Sequence, residues 1–331
     1  MDGATTYIGI DLGGTKIAAA AVDVATGELA GRTVIPTEAH AGPDAVLDRM
    51  AQLVDAVCQS AELPREAIGG LGVGVPGMTD LAGGHTLFLP NLPGGWRGVP
   101  VATMLTQRTG RSTWLINDAR AFTLAEATWG AGRGARTVVG MTLGTGIGGG
   151  IALDGRLHLG LDGTAGEVGH QTIDPDGPPC GCGNRGCLEA FASGPALTSL
   201  GVRAVLQGMT TQIGVLVDHD LNRITPETIV RAAEGGDAVA REILDRTGTY
   251  LGIGIANLVT ILSPERVVIG GGVARLGEWL LAPARDVVRQ RCHVTPLNRV
   301  QVVRAALGSD AGVVGAAVWA FQQAQDTGTT R

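Results

Sequence analysis

The feature that most constrains the fold is a strand–glycine turn–strand unit that occurs twice. The first copy reads "IDLGGTKI" from Ile10 to Ile17, and the second reads "TLGTGIGGGI" from Thr142 to Ile151. Each copy places a threonine among glycines just after an apolar strand. Two such units, about 130 residues apart, predict a duplicated architecture in which each half contributes one turn.

Helical and strand patterns alternate along the rest of the chain. Apolar residues recur at three- and four-residue spacing from Asp44 to Ala61, which predicts an amphipathic helix. Further helices are predicted from Asp237 to Leu262, from Leu276 to Arg291 and from Ala311 to Gln323, with short apolar strands between them. The alternation predicts an α/β fold with sheets covered by helices. A length of 331 residues leaves room for two domains.

Charge and hydropathy argue against several classes of partner. The net charge is −6 at pH 7, whereas binding to nucleic acid requires a basic surface. The apolar run from Leu251 to Leu262 is too short to span a bilayer. The first residues show no basic segment followed by an apolar one, as a secretory signal would. We therefore expect a cytoplasmic protein with reduced cysteines and with no nucleic-acid or membrane partner.

The glycine turns are suited to binding phosphate groups. A glycine-rich turn leaves backbone N–H groups pointing outward with no Cβ in the way, although glycines also serve plain hairpins. A third glycine-rich segment follows a strand at Gly270 to Val273. Asp11 stands beside the first turn, where its carboxylate could hold a magnesium ion through water. No turn matches the P-loop or the dinucleotide-binding pattern, so those two classes are disfavoured.

Two polar residues follow a buried strand in the segment "INDAR". Asn117 and Asp118 stand where this strand ends and a helix begins. Asparagine and aspartate are favoured at the N-terminal cap of a helix, which is one interpretation. In the other interpretation, Asp118 is a general base at the edge of the sheet and accepts a hydroxyl proton.

Three of the five cysteines follow one histidine within 18 residues, as His170, Cys180, Cys182 and Cys187. Three thiolates and one imidazole fill a zinc tetrahedron with no open position, which is typical of a structural site. The intervening segment has few residues that could build a core, so a metal would order it. The alternative is free cysteines in a flexible loop. The flanking Glu167 and Glu189 are either surface charges or acceptors for sugar hydroxyl groups.

Together these motifs resemble the ROK family of sugar kinases and repressors, within the actin-like and hexokinase-like superfamily. The similarity extends in family order over nearly the whole chain, and the cysteine-rich segment is its most specific part. The loop "NLPGGW" has one more glycine than the family form. The matching segments are "DLGGTK" (Asp11–Lys16), "GVPG" (Gly74–Gly77), "PNL" (Pro90–Leu92), "NDA" (Asn117–Ala119), "LGTGIGGG" (Leu143–Gly150), "AGEVGH" (Ala165–His170), "CGCGNRGCLE" (Cys180–Glu189) and "IGGGV" (Ile269–Val273).

The resemblance implies a two-domain actin-like (ribonuclease H-like) ATPase fold with duplicated sheet and helix units. ATP and sugar would lie in an interdomain cleft. The smaller domain would comprise residues 1–117 plus 308–331, including a C-terminal helix that returns to it. The larger domain would comprise residues 118–307.

The resemblance also implies roles for individual residues. Asp118 would be the base that activates the sugar 6-hydroxyl. His170 would use one ring nitrogen for zinc while it faces the hexose, so that the zinc site braces the sugar pocket. The sugar contacts would come from Gly77, Asn91, Asn117, Asp118, Glu167, His170 and Glu189. The nucleotide contacts would come from Asp11, Gly13, Gly14, Thr15, Lys16, Gly144, Thr145, Gly146, Gly148, Gly149, Gly271 and Gly272.

The implied activity is ATP-dependent phosphorylation of a hexose at its 6-hydroxyl, most simply glucose to glucose 6-phosphate in glycolysis. The implied cofactors are ATP, Mg²⁺ and a structural Zn²⁺. The same residues would hold the hydroxyls of N-acetylmannosamine and N-acetylglucosamine, so kinases of those sugars are alternatives. A more distant alternative is a sugar-sensing regulator of the family without a DNA-binding segment. Family members often form dimers or tetramers, so we expect a homo-oligomer.

Overall fold

The computed structural model describes residues 4–89 and 92–328. Its strands are β1 (Thr6–Leu12), β2 (Lys16–Asp23), β3 (Leu29–Pro36), β4 (Leu71–Val75), β5 (Met78–Asp80), β6 (His85–Phe88), β7 (Thr113–Asn117), β8 (Thr137–Leu143), β9 (Ile147–Leu153), β10 (Arg156–Leu157), β11 (Arg266–Gly270) and β12 (Gln301–Arg304). Its α-helices are α1 (Gly42–Ser60), α2 (Val101–Thr109), α3 (Asp118–Thr128), α4 (Glu189–Ala192), α5 (Gly194–Leu206), α6 (Pro226–Glu234), α7 (Ala238–Leu262), α8 (Glu278–Arg291) and α9 (Ala311–Gly328).

The four helices predicted from the sequence all form, as α1, α7, α8 and α9, with ends within a few residues of the predicted ones. Most of the apolar stretch within α7 is buried, and this helix packs against α8 inside one unit of the fold, whereas Ile261 near its end is exposed. Within residues 4–89 and 92–328, no helix is both long and apolar enough to cross a membrane.

The chain divides into two compact units. The first comprises Met1–Arg133, Gly155–Ala165 and Leu307–Arg331, and the second comprises Gly134–Asp154 and Gly166–Ala306. This division differs from the predicted one because it assigns α3, which begins with Asp118, to the first unit. The physical reason is packing, since α3 lies directly against α9 with only small groups between them.

A five-stranded sheet in the order β3-β2-β1-β4-β7 forms the centre of the first unit. β1 and β2 form an antiparallel hairpin around the first glycine turn. β1 is parallel to β4, and β4 is parallel to β7, so the carboxyl ends of these three strands meet at one edge. Residues that follow the three strands, including Gly77 and Asp118, are therefore brought to the same edge of the sheet.

The second unit repeats the same scheme. β8 and β9 form an antiparallel hairpin around the second glycine turn, and β8 is parallel to β11, which is parallel to β12. The carboxyl ends of β8 and β11 carry Gly144 and Gly271, respectively, so two of the predicted glycine segments are adjacent. The predicted duplication and the α/β fold class are both confirmed.

Helix α9 packs on the first sheet with backbone against backbone. Gly9 of β1 and Gly72 of β4 lie beneath it, and a Cβ at Gly72 would overlap the carbonyl oxygen of Ala316. A Cβ at Gly9 would overlap the carbonyl oxygen of Val313 in the same way. Glycine is therefore required in both strands for α9 to pack this closely on the sheet.

We expect Gly72→Ala to lower the free energy of unfolding by about 2 kcal/mol or more, because overpacking of a close contact forces the helix away from the sheet. Urea unfolding of purified protein measures this change. Gly235→Ala is the matched control, since Gly235 ends α6 with a φ of −73° and its nearest contact is in its own helix. An equal decrease in the free energy of unfolding of the two variants would contradict the packing explanation.

Candidate functional site

The first glycine turn is closed by its own backbone and held by a buried threonine. The N–H of Gly13 donates to the carbonyl of Lys16 at 3.0 Å. The hydroxyl of Thr37 donates to the carbonyl of Gly13 at 2.7 Å, and its N–H donates to the carbonyl of Thr15 at 2.9 Å. Thr37 is fully buried, whereas Thr15 and Lys16 are exposed. The turn therefore presents a fixed backbone, with Thr15 and Lys16 facing solvent.

Asp11 lies beside this turn, near the end of β1. Its carboxylate rests against Gly312 in the first turn of α9, where a Cβ would approach it to 2.8 Å. Burial, and to a lesser extent the negative charge of Asp118, raises the pKa of Asp11 to about 6, while the positive charge of Lys16 opposes the rise. Two carboxylates at one edge of a sheet form a site where a divalent cation would relieve their repulsion.

Asn117 orients Asp118 at the start of α3. The Asn117 side-chain oxygen accepts from the N–H groups of Ala119 at 3.0 Å and Arg120 at 3.2 Å, which confirms the predicted cap. Its amide nitrogen donates to the carbonyl of Gly77 at 3.0 Å and to the carboxylate of Asp118 at 3.0 Å. Both the oxygen and the nitrogen of the Asn117 amide are therefore hydrogen-bonded within the protein. Asp118 is exposed, and the hydrogen bond from Asn117 orients its carboxylate.

The structure brings Gly77, Asn117 and Asp118 together, as the sequence predicted. Gly77 has a φ of +98°, which an L side chain rarely adopts, and it turns its carbonyl toward Asn117. Asn91, also predicted to contact sugar, lies outside the described residues.

Sequence reasoning missed the buried Arg120 on α3. Its guanidinium donates twice to the carbonyl of Ala165, at 3.2 and 3.0 Å, two residues before the exposed Glu167.

The second glycine turn borders a cavity of about 560 Å³. The turn is closed by the N–H of Gly144, which donates to the carbonyl of Gly146 at 2.9 Å. Gly271 has a φ of +88°, and a Cβ there would overlap the carbonyl of Leu143, so glycine is required. The residues that line the cavity are Gly144, Thr145, Gly194, Pro195, Thr198, Glu227, Gly272 and Val273. Backbone, small side chains and Glu227 therefore border an open space that is large enough for a nucleotide moiety.

Two residues that were predicted to belong to the second glycine turn lie in the strand that follows it. Gly148 and Gly149 belong to β9, where they pair with Thr142 and Met141 of β8. A Cβ at Gly149 would collide with the side chain of Val168, so this glycine allows close packing. The turn itself is shorter than the glycine-rich run suggested, and it ends at Gly146.

The predicted metal-binding residues form one cluster. Ligand atoms of His170, Cys180, Cys182 and Cys187 all lie within 4.8 Å of one another. The His170 Nδ1–Cys180 Sγ distance is 3.6 Å, and the Cys182 Sγ–Cys187 Sγ distance is 3.8 Å. A tetrahedron with Zn–S bonds of about 2.3 Å has edges of about 3.8 Å, so the four side chains fit a zinc ion.

The thiol groups of this cluster differ in their electrostatics. Burial, with the neighbouring thiols Cys182 and Cys180, raises the pKa of Cys187 to about 12. Burial likewise raises the pKa of Cys180, whereas the backbone N–H of Asn184 lowers that of Cys182. Three thiolates this close together repel one another, and a bound cation would offset the repulsion.

Glu189 connects the metal cluster with the second glycine turn. Its Oε2 accepts from the N–H of Ile147 at 2.8 Å, and its Oε1 lies 3.7 Å from the Sγ of Cys180. The sequence predicted only a sugar contact for this residue. In the same unit, Glu167 directly precedes a short helical turn that ends with His170, and Val168 and Gly169 within this turn are buried.

Comparisons with known proteins agree with the family resemblance of the sequence. The ROK family model matches residues 7–323 of the chain. A glucokinase of Halalkalibacterium halodurans is 35% identical over 327 residues, which cover 97% of this chain and 96% of the relative. A glucokinase of Thermotoga maritima is 37% identical over 310 residues, which cover 94% and 95%, respectively.

A solved structure supports the same relationship. The ROK family glucokinase from Streptomyces griseus, in complex with glucose and AMPPNP, superposes with a TM-score of 0.78 at 34% sequence identity. The similarity covers 96% of this chain and 99% of that one. The actin-like fold expected from the sequence is therefore confirmed.

The pKa of Asp11 makes stability depend on pH. Because the folded-state pKa of about 6 exceeds the ordinary value of 3.8, the folded state binds the proton more tightly. Protonation of Asp11 therefore stabilises the folded state fully below about pH 4, and this stabilisation is lost as the pH rises through 6. Asparagine does not ionise, so the Asp11→Asn variant should not lose stability in this way. We expect its free energy of unfolding to rise by about 2 to 3 kcal/mol relative to that of wild type between pH 4 and pH 7.

Urea unfolding at several pH values, without magnesium or nucleotide, measures this difference. Asp154→Asn is the control, since the ion pair with Arg136 lowers the pKa of this exposed carboxylate and the sign is opposite. A difference between Asp11→Asn and wild type that does not vary with pH would contradict the prediction.

Proposed function

The chain belongs to the ROK family, and from this premise we propose that it is an ATP-dependent hexose kinase that phosphorylates glucose at its 6-hydroxyl. The similarity to glucokinases over almost their whole length supports this activity. So does the fold shared with a ROK glucokinase that binds glucose and AMPPNP. The structural observation that carries the proposal is the exposed carboxylate of Asp118, held at the edge of a sheet by Asn117.

Asp118 acts on the sugar as the general base. It accepts the proton of the 6-hydroxyl while the oxygen attacks the terminal phosphorus of ATP, and ADP leaves. Such a base contributes typically about a hundred- to ten-thousand-fold in rate. Asn117 positions Asp118, because both of its amide hydrogens and its oxygen are used within the protein. A direct sugar contact by Asn117 would require it to exchange one of these partners.

The glycine turns bind the nucleotide in this proposal. The first turn offers Gly13, Gly14, Thr15 and Lys16, and the second offers Gly144, Thr145 and Gly146. Gly271 and Gly272 pass beside the adenosine, in agreement with the 560 Å³ cavity that Gly272 lines. Phosphoryl transfer depends mainly on positioning and on charge stabilisation, which bound magnesium supplies. Asp11 would hold that ion through water, because its carboxylate lies beside the first turn.

The cysteine-rich segment braces the sugar contacts. Zinc held by His170, Cys180, Cys182 and Cys187 is a structural ion in this proposal, since four protein ligands leave no open position. His170 then presents its second ring nitrogen to the hexose. Glu167 and Glu189 accept hydrogen bonds from sugar hydroxyls, and Gly77 and Asn91 complete the predicted contacts.

Several broader properties belong to the same proposal. The base was predicted in the larger domain, but Asp118 belongs to the first unit. The other proposed roles follow the prediction, with the first phosphate turn in the first unit and the second turn, cysteine cluster and adenosine site in the second. The family resemblance supports a homo-oligomer, either a dimer or a tetramer. The similarity to glucokinases supports a role in glycolysis, and the reduced cysteine cluster supports a cytoplasmic location.

Initial rates with ATP and magnesium test the activity and the choice of sugar. We expect glucose to be phosphorylated with a higher kcat/KM than mannose, fructose, N-acetylglucosamine or N-acetylmannosamine. A preference for either N-acetyl sugar would assign the chain to that kinase class. Hexose binding without phosphorylation of any sugar would instead indicate a sugar-sensing regulator.

Removal of the base should abolish turnover but preserve binding. We expect Asp118→Asn to lower kcat by about a thousandfold or more, with the dissociation constant for glucose changed by less than about fivefold. A coupled assay and calorimetry measure these two quantities. Asp162→Asn is the control, since this exposed aspartate of the same unit lies outside the proposed site. An Asp118→Asn enzyme that retains most of its rate would exclude Asp118 as the base.

Loss of one metal ligand should weaken both zinc and sugar binding. Because about 10–16 kcal/mol of zinc-binding free energy is shared among four ligands, we expect Cys182→Ser to lower zinc affinity by about a hundredfold or more. Zinc content and glucose affinity measure the effect, with Cys58→Ala as the control outside the cluster. Unchanged glucose affinity in zinc-free protein would contradict the bracing role.

A further inference from the structure

The side chain of Glu189 accepts a hydrogen bond from the residue that follows the second glycine turn. The residue begins α4, and its Oε2 accepts the N–H of Ile147, which directly follows the turn, at 2.8 Å. The same oxygen is in contact with Gly146, where even a Cβ would collide with it. The carboxylate thus fixes the end of a turn whose one side chain, that of Thr145, is exposed and does not pack against the fold.

The position of this carboxylate is set by the metal cluster. Cys187 precedes Glu189 by two residues, and both Cys187 and the intervening Leu188 are buried. The N–H of Leu188 donates to the carbonyl of Gln171 at 3.0 Å, next to the ligand His170. On the other side, Oε1 of Glu189 lies 3.7 Å from the Sγ of Cys180. A shift of the cluster therefore shifts Glu189.

The same chain segment holds the turn at a second point. The N–H of Gly194, at the start of α5, donates to the carbonyl of Gly144 at 2.8 Å. Gly144 and Gly194 both line the 560 Å³ cavity. The six residues between Cys187 and Gly194 thus form a short connection from the cluster to both ends of the turn.

We propose that Glu189 is a positioning residue that couples the metal cluster to the second glycine turn. Metal bound at the cluster then sets the affinity for nucleotide, even when no hexose is present. The inference rests on the proposed function for the identity of the nucleotide. A role in sugar binding is compatible with it, because a carboxylate has about four acceptor sites and the turn takes only one.

Binding of Mg-ADP without sugar tests this coupling separately from any sugar contact. We expect Glu189→Ala to weaken ADP binding by about tenfold, because the N–H of Ile147 loses its acceptor. Glu189→Gln retains an amide oxygen for this N–H, so its ADP affinity should stay within about twofold of wild type. Glu242→Ala, at an exposed glutamate of α7 in the same unit, is the matched control. Calorimetry on zinc-loaded protein measures all four dissociation constants.

A double-mutant cycle then tests whether the effect of the metal cluster on ADP binding passes through Glu189. We expect Cys182→Ser to weaken ADP binding about five- to tenfold in the wild-type background and to have almost no effect in Glu189→Ala. Independent, multiplicative effects of the two substitutions would overturn the coupling. If Cys182→Ser does not fold, Glu189→Ala and Glu189→Gln still test the inference. Equal ADP affinities in these two variants would overturn it.

The two proposals fail in different ways. Wild-type protein that binds no ADP would overturn the proposed function, and the coupling with it. Wild-type protein that binds ADP and phosphorylates a hexose, with ADP affinity unchanged in Glu189→Ala, would overturn the coupling alone.

Discussion

Parallel pairing of β1, β4 and β7 is the constraint on which the site of the first unit depends. Because the three strands run in one direction, Asp11, Gly77 and Asn117 arrive at the same edge of the sheet. The Asn117 amide then joins this edge to Asp118 through hydrogen bonds of about 3 Å. α9 packs closely over Gly9 and Gly72, so the packing that stabilises this unit involves two of the strands that carry the site.

The second unit uses the same hairpin scheme but fixes its glycine turn differently. In the first unit the buried hydroxyl of Thr37 holds the turn, whereas in the second the carboxylate of Glu189 does so. Glu189 in turn lies against the cysteine-rich cluster, so the turn is held by a segment that has little apolar core of its own. A metal ion would supply the order that hydrophobic burial supplies elsewhere in the fold.

Sequence patterns predicted the elements and motifs well because those depend on local chemistry. The two glycine turns, the Asn117 cap and the four-residue metal cluster each have a short signature. Thr37, Arg120 and Glu126 were missed, because no short motif marks these residues and each gains its role only from tertiary contacts. The buried Glu126, for example, accepts the N–H groups of Ala131 and of Leu307, a residue 181 positions away. The assignment of α3 to the first unit likewise depends on α9, which is distant in sequence.

The chemistry proposed for Asp118 is tested most directly by the position at which the sugar is phosphorylated. Phosphorus and carbon NMR of a reaction of wild-type protein with ATP, magnesium and glucose identifies the product. A phosphomonoester at C6 formed together with ADP, and no sugar phosphate from 6-deoxyglucose, is the expected result. Phosphate on another hydroxyl, or only release of inorganic phosphate from ATP, would contradict proton removal from the 6-hydroxyl by Asp118.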